Sequence, residues 1–117
     1  MEKKNKIYTL RFAAINTQTW DFIKNGKKKI ETRANTIKYA SAAAGDTLIL
    51  SCAGKKFKKK VKKVTRFKSI GALLKVYAPE SINPGIYTRV ETEAIYARYP
   101  GYSEKIKEFG IIAFELE

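Results

Sequence analysis

The chain has 117 residues, 44% hydrophobic and 30% charged, with 24 lysines and arginines against 11 acids and a formal charge of +13. This is globular composition, too apolar for a disordered chain, and the length leaves room for one core and not two. There is no histidine and one cysteine, Cys52, which removes the usual metal sites, an internal disulfide and the His-dependent nucleophile arrangements, so that any catalysis must run on Lys, Glu, Asp, Tyr, Thr or Ser.

No segment approaches the ~20 apolar residues of a bilayer span, and the N-terminal lysines lead into no hydrophobic run of signal-peptide type. The expectation is a single domain over residues 1–117, soluble and cytoplasmic, with no cofactor, no metal and no membrane partner. The excess positive charge points to a polyanion. It is also uneven: from Asn25 to Arg89 the only acids are Glu31, Asp46 and Glu80, whereas six of the eleven lie from Glu91 onward.

In chain order, Lys6 to Phe12 alternates Ile7, Thr9 and Arg11 against Tyr8, Leu10 and Phe12 and predicts a first strand. Asn16 or Thr17 can cap a helix that carries Trp20 and Ile23 on one face and stops at Asn25-Gly26. The stretch Gly26 to Arg33, GKKKIETR, follows. If Ile30 to Arg33 is extended, Glu31 and Arg33 share one side of the strand, with Ile30 and Thr32 opposite. A carboxylate and a guanidinium then share one edge of a pocket, with the Lys28 ammonium near its rim; the plainer reading is an incidental ion pair on a surface turn.

A connection through Tyr39 and the small-residue tract Ala40 to Ala44 reaches the turn Gly45-Asp46, which launches a strand from Thr47 to Ala53 with Leu48, Leu50 and Cys52 facing one way. Gly54 turns the chain into a second strand, Phe57 to Phe67, forming a hairpin. Nine of the fourteen residues from Lys55 to Lys68 are basic and none is acidic. Alternation puts Lys56, Lys58, Lys60, Lys62, Arg66 and Lys68 on one face, and Val61 and Val64 can both be buried only if a bulge lies between them. Two readings stand: a solvated edge guarded by lysine, or a nucleic-acid backbone track formed by Lys55, Lys56, Lys58, Lys60, Lys62 and Arg66.

Ser69 caps a short helix with Leu73, Leu74 and Val76 inside. A second helix is expected between Ile86 and Arg98, with Val90, Ala94, Ile95 and Tyr99 toward the core. After Tyr99-Pro100-Gly101, Ser103 to Phe109 can make one or two helical turns, and Gly110 starts a last strand burying Ile112, Phe114 and Leu116.

Trp20 to Arg33 (WDFIKNGKKKIETR), the Gly45-Asp46 pair opening an apolar strand, the basic strand and the helix from Ser69 resemble the ASCH domain, a relative of the PUA domain. Gly26, Lys28, Glu31, Arg33, Gly45 and Asp46 fill its pattern, G-x-K-x-x-E-x-R followed by G-D, and the tail from Tyr99 to the final GIIAFELE is similar to small bacterial members. The resemblance implies an α+β fold, a PUA-like mixed β-barrel flanked by short helices, with a basic cleft lined by the motif and a role in binding RNA or a nucleoside. Lys28, Glu31 and Arg33 are then the ligand-binding candidates: the two cations suit a phosphate or a polar base edge, and Glu31 suits the amino groups of a base.

Some small ASCH proteins hydrolyse the acetyl amide of N4-acetylcytidine with a lysine, a threonine and a glutamate. Lys28 matches that lysine, but Glu31 stands where the threonine is, and alternation turns the neighbouring Thr32 to the other side of its strand. The family's glutamate falls downstream of the hairpin, where Glu80 is the nearest candidate and Glu91 and Glu93 are further ones. The resemblance thus implies an alternative, an amidohydrolase acting on an N-acylated nucleoside, with Lys28, Glu31 and Glu80 as candidate catalytic residues. The lysines could also dock the protein on ribosomes or acidic proteins, and the oligomeric state stays open.

Overall fold

The structure is a computed structural model and describes residues 4–117. Strand β1 (Ile7–Phe12) buries Tyr8 and Leu10 and leaves Ile7 and Arg11 exposed, as its alternation requires. Helix α1 (Thr17–Lys24) turns Trp20 and Ile23 inward and ends at Asn25-Gly26, where Gly26 takes a φ of +83°. Its start differs from expectation. Neither Asn16 nor Thr17 caps the helix amides; a 3₁₀ turn, Ala14–Asn16, leads in, and the Thr17 hydroxyl donates back to the Ala14 carbonyl at 2.6 Å.

β2 (Ile30–Ala34), β3 (Thr47–Cys52), β4 (Lys55–Phe67) and β5 (Ile111–Leu116) join β1 in one five-stranded sheet of order β1-β3-β4-β5-β2. β1 runs parallel to β3, and the other pairs are antiparallel. The β3–β4 hairpin closes through Ala53 and Gly54, with φ of +49° and +80°, the two left-handed residues that a tight hairpin turn of this hand needs.

β4 changes partner midway, pairing with β3 up to Lys60 and with β5 from Val61, and the register shifts between Val61 and Lys63. This is the bulge that the two valines called for: Val61 is buried and Val64 packs against the same core. One extra residue also reverses which positions face inward beyond it. Arg66 is therefore carried off the outer lysine face and onto the side of Val64. This corrects its placement on the lysine track.

The sheet curls into a half-barrel. Its concave side holds Leu10, Leu48, Leu50, Val61, Ile112 and Phe114, and α1 seals it, with the Trp20 indole N–H donating to the Leu50 carbonyl at 2.9 Å. The opposite face of β2 and β5 is covered by α2 (Ile70–Leu74), α3 (Pro79–Ile82), α4 (Arg89–Ala97) and α5 (Tyr102–Phe109), which bury Leu73, Ile82, Tyr96 and Ile106 against Ile30, Ala34, Ile111 and Ala113. β5 is apolar on both sides because it is covered on both sides.

Ser69 caps α2 as expected, accepting from the Ala72 amide. Val76, however, lies beyond the helix and is exposed. In α4 the expected face is turned outward, with Val90 77% exposed and Thr92 and Tyr96 buried instead. Thr88 and Glu91 form a capping box, so the helix begins at Arg89 and not near Ile86. Packing against the sheet decides its face: Tyr96 joins the core over Ile30 and Ala34, and its hydroxyl is hydrogen-bonded to that of Thr32.

Asp46 is fully buried, its Oδ1 accepting from the Lys6 amide and its Oδ2 from the Ala43 amide, both at 2.9 Å. This aspartate thus fastens the entry to β3. Among the described residues no helix is long and apolar enough to cross a membrane.

Candidate functional site

β1 and β2 pair on one side only and are the two edges of the curled sheet. In β2 the odd positions bond to β5, as the flanking bonds Asn35 N–H to Gly110 O and Leu116 N–H to Lys29 O show. The backbone groups of Ile30, Thr32 and Ala34 therefore face outward along the free edge. Side chains complete them. Lys28 Nζ donates to Ile30 O at 2.6 Å, Glu31 Oε1 accepts from the Thr32 amide at 2.9 Å, and the Tyr102 hydroxyl oxygen accepts from the Ala34 amide at 2.7 Å.

Lys28 is 2% exposed. Its amine has three acceptors, the carbonyls of Ile30 and Ile82 and Glu31 Oε1 at 3.5 Å, which matches the three donors of an ammonium. Burial pushes its pKa below the ordinary lysine value, against the pull of Glu31. The bond to Ile82 ties α3 to the edge strand.

Glu31 turns its other oxygen to Arg33, with Oε2 3.3 Å from Nη2. Both terminal nitrogens of Arg33 also reach the Arg11 carbonyl on β1 at 3.4 Å, and its guanidinium carbon lies 4.8 Å from the Phe12 ring centre. Burial works against the Arg33 charge, but the Glu31 carboxylate together with the Tyr102 and Tyr39 phenols holds the pKa above the ordinary value. All three polar contacts are long for hydrogen bonds. The guanidinium is placed by its ring and its charge, and its donors remain available to an incoming oxygen.

A cavity of about 440 Å³ fills the seam between the two sheet edges, bordered by Glu31, Thr32 and Arg33, by Phe12 and Phe22, and by Tyr96, Tyr99 and Tyr102. Thr32 borders it although alternation turns its side chain away from Glu31. An edge strand exposes its rim to the cleft, so residues of both faces reach the opening. The Thr32 hydroxyl is hydrogen-bonded to the Tyr96 hydroxyl. The rings of Tyr96 and Tyr102 are parallel within 2° at 6.0 Å. Burial pushes the Tyr102 phenol up to about 12 and raises Tyr96 as well, so both are neutral donors near pH 7.

The structure thus brings together Glu31, Arg33 and, directly behind Glu31, Lys28. Lys28 is not at the rim: its amine is enclosed and does not border the cavity. Glu80 lies exposed on α3 and does not line the cavity either. Glu91 is engaged in the capping box, and Glu93 pairs with Arg89 at 2.6 Å. Lys55, Lys56, Lys58, Lys60 and Lys62 are exposed on β4. Arg66 donates through Nη2 to the carbonyls of Tyr39 at 2.8 Å and Ala42 at 3.0 Å, bracing the connection before β3. The aromatic wall was missed in the sequence, although Tyr96, Tyr99 and Tyr102 recur every three residues.

The curled five-stranded sheet with its flanking helices and seam defines an α+β domain of the PUA-like class. Residues 14–117 match the model of the ASCH domain, and the chain belongs to that family, which is generally linked to RNA binding. It is similar over 97% of its length to the crystal structure of hypothetical protein PH0355, covering 98% of that chain at 29% identity with a TM-score of 0.76. It is also similar, at 28% identity and a TM-score of 0.68, to the solution NMR structure of protein PF0455 from Pyrococcus furiosus, over 97% of this chain and 96% of that one. No curated protein matches the chain.

Proposed function

We propose that the seam cavity binds the base of a nucleoside or of an RNA nucleotide. The observation that carries this reading is a charged pair, Glu31 and Arg33, set in the wall of a 440 Å³ cavity that Phe12, Phe22, Tyr96, Tyr99 and Tyr102 also border. Stacking on aromatic rings and hydrogen bonding to a base edge are how unpaired bases are held. Glu31 accepts from amino or ring N–H groups, while Arg33 exchanges its long bonds for a carbonyl or hydroxyl of the ligand. Arg11 and Arg98 also border the cavity, so a phosphate carried by the ligand is met on the arginine side while its base faces Glu31.

Calorimetric titration with nucleosides and nucleoside monophosphates tests this. The expected result is binding of at least one amino-bearing base, weakened tenfold or more by Glu31→Gln and by Arg33→Gln. Absence of binding, or binding indifferent to both changes, contradicts it.

A second reading, hydrolysis of an N-acylated nucleoside, is favoured by one observation: the Lys28 amine, its pKa lowered by burial, lies 3.5 Å from a carboxylate that borders the cavity. Its three N–H groups are all engaged, so it would have to leave two carbonyls to act. Acetate release from N4-acetylcytidine, present in the wild type and lost in Lys28→Arg, supports hydrolysis; no release leaves the binding reading alone.

A further inference from the structure

The outer face of β1, β3 and the first half of β4 forms a three-by-three grid. Its rows are Ile7–Thr47–Lys60, Thr9–Ile49–Lys58 and Arg11–Ser51–Lys56. Ile7, Arg11 and the three lysines are exposed, and the threonines, Ile49 and the serine are half-buried, as on a sheet face that no helix covers. None of the nine residues is acidic and none is aromatic.

The cations form two rails. On β4 a lysine at every second residue repeats about every 7 Å along the strand. On the far edge stand Arg11 and Lys38, whose Nζ donates to the Thr9 carbonyl at 3.0 Å. The two edges are two strand spacings apart, about 10 Å. Between them, on β3, lie the hydroxyls of Thr47 and Ser51 on either side of Ile49, with the Thr9 hydroxyl beside Arg11 on β1.

We propose that this face docks the backbone of double-stranded RNA. Charge complementarity selects a polyanion. A single strand held without regard to sequence needs aromatic platforms for its bases, and this face has none. An RNA duplex instead shows a wide, shallow minor groove, lined by 2′-hydroxyls and flanked by phosphates, and is recognised by those groups. Cationic rails with hydroxyls between them match that pattern.

The face also meets the cavity. Arg11 stands at the corner of the grid and borders the cavity as well. A duplex lying across the grid therefore brings a neighbouring nucleotide to the seam, where its base can enter after leaving the stack. This deepens the reading of the cavity as a base site and rests on it.

The test is fluorescence anisotropy across a salt series with three probes: an RNA hairpin, a DNA hairpin of the same sequence and an unstructured RNA strand. The RNA hairpin is expected to bind tightest. The triple variant Lys56→Gln, Lys58→Gln, Lys60→Gln should bind it at least tenfold more weakly at low salt and lose about two to three units of salt slope. Nucleoside binding in the cavity should not change. Thr47→Val with Ser51→Ala should narrow the preference for RNA over DNA. These substitutions lie on the exposed sheet face, and an unaltered melting temperature will show that each variant is folded.

An unchanged salt slope in the triple variant overturns the proposal, as does a wild type that binds the single strand or the DNA hairpin as tightly as the RNA hairpin. Poly-glutamate bound as tightly as the RNA hairpin would assign the face to an acidic protein and overturn it too. If nucleosides fail to bind while the triple variant still loses its hold on the hairpin, the face stands and the cavity reading alone falls.

Discussion

The guanidinium of Arg33, on one edge of the sheet, lies over the ring of Phe12 on the other, 4.8 Å from carbon to ring centre. A single side chain clasps the seam, and its hydrogen-bond partners are all at 3.3 Å or beyond. Arg33→Lys keeps the charge but loses the plane that stacks on the ring and the fork that holds two acceptors. It should weaken nucleoside binding tenfold or more while lowering stability by no more than about 1 kcal/mol. Calorimetry and thermal melting check the two halves.

Lys28 behaves differently because nothing near it can be given up. Lys28→Met leaves the Glu31 carboxylate short of a buried cation and strips a donor from two carbonyls. Removing one partner of a buried pair costs about 3–5 kcal/mol, and urea denaturation should show a loss of that order. The double variant Lys28→Met, Glu31→Gln should recover part of it, since no uncompensated charge then remains.

Tyr102 gives a pH signature. Its folded-state pKa is pushed up to about 12 from an ordinary 10.0, chiefly by burial. Between those values the folded protein keeps a proton that the unfolded chain releases, so stability falls as pH rises through this interval and is unaffected below it. Tyr102→Phe should flatten that alkaline decline. It should also cost about 1–2 kcal/mol at neutral pH by leaving the Ala34 amide without its acceptor.

Gly110 and Gly54 separate strain from collision. Both have positive φ, +79° and +80°. A methyl group at Gly54 meets open space, so Gly54→Ala should cost only the conformational strain, about 1 kcal/mol. At Gly110 the methyl collides with the backbone carbonyl of Phe67, and Gly110→Ala should cost at least about 2–3 kcal/mol more. Paired melting curves decide this.

What could be read from the chain was whatever local chemistry determines. Alternation in Ile7–Phe12 and Thr47–Cys52, the ending of α1 at Gly26 and the Ser69 cap are local, and the structure has them. The bulge was legible too, because two valines three apart cannot face one side of a regular strand. Its consequence for Arg66 was not followed through.

The failures came from tertiary context. The cap that starts α4, Thr88 with Glu91, was local and overlooked, but the face the helix buries was decided by packing against β2, where Tyr96 meets Thr32. Which strands are edges, and so which residues border the seam, depended on pairings dozens of residues apart. No local pattern places Tyr96 and Tyr102 opposite Thr32 and Ala34, and none distinguishes an enclosed Lys28 from one at a rim.

A base-binding cavity between the sheet edges can be watched by following backbone amide resonances during titration with a panel of nucleosides. Shifts concentrated at Phe12, Glu31, Thr32, Arg33, Tyr96 and Tyr102 are expected with at least one of them. Shifts confined to the shallow depression around Asn35, Lys107 and Phe109 on another part of the surface, or no shifts with any nucleoside, would contradict it.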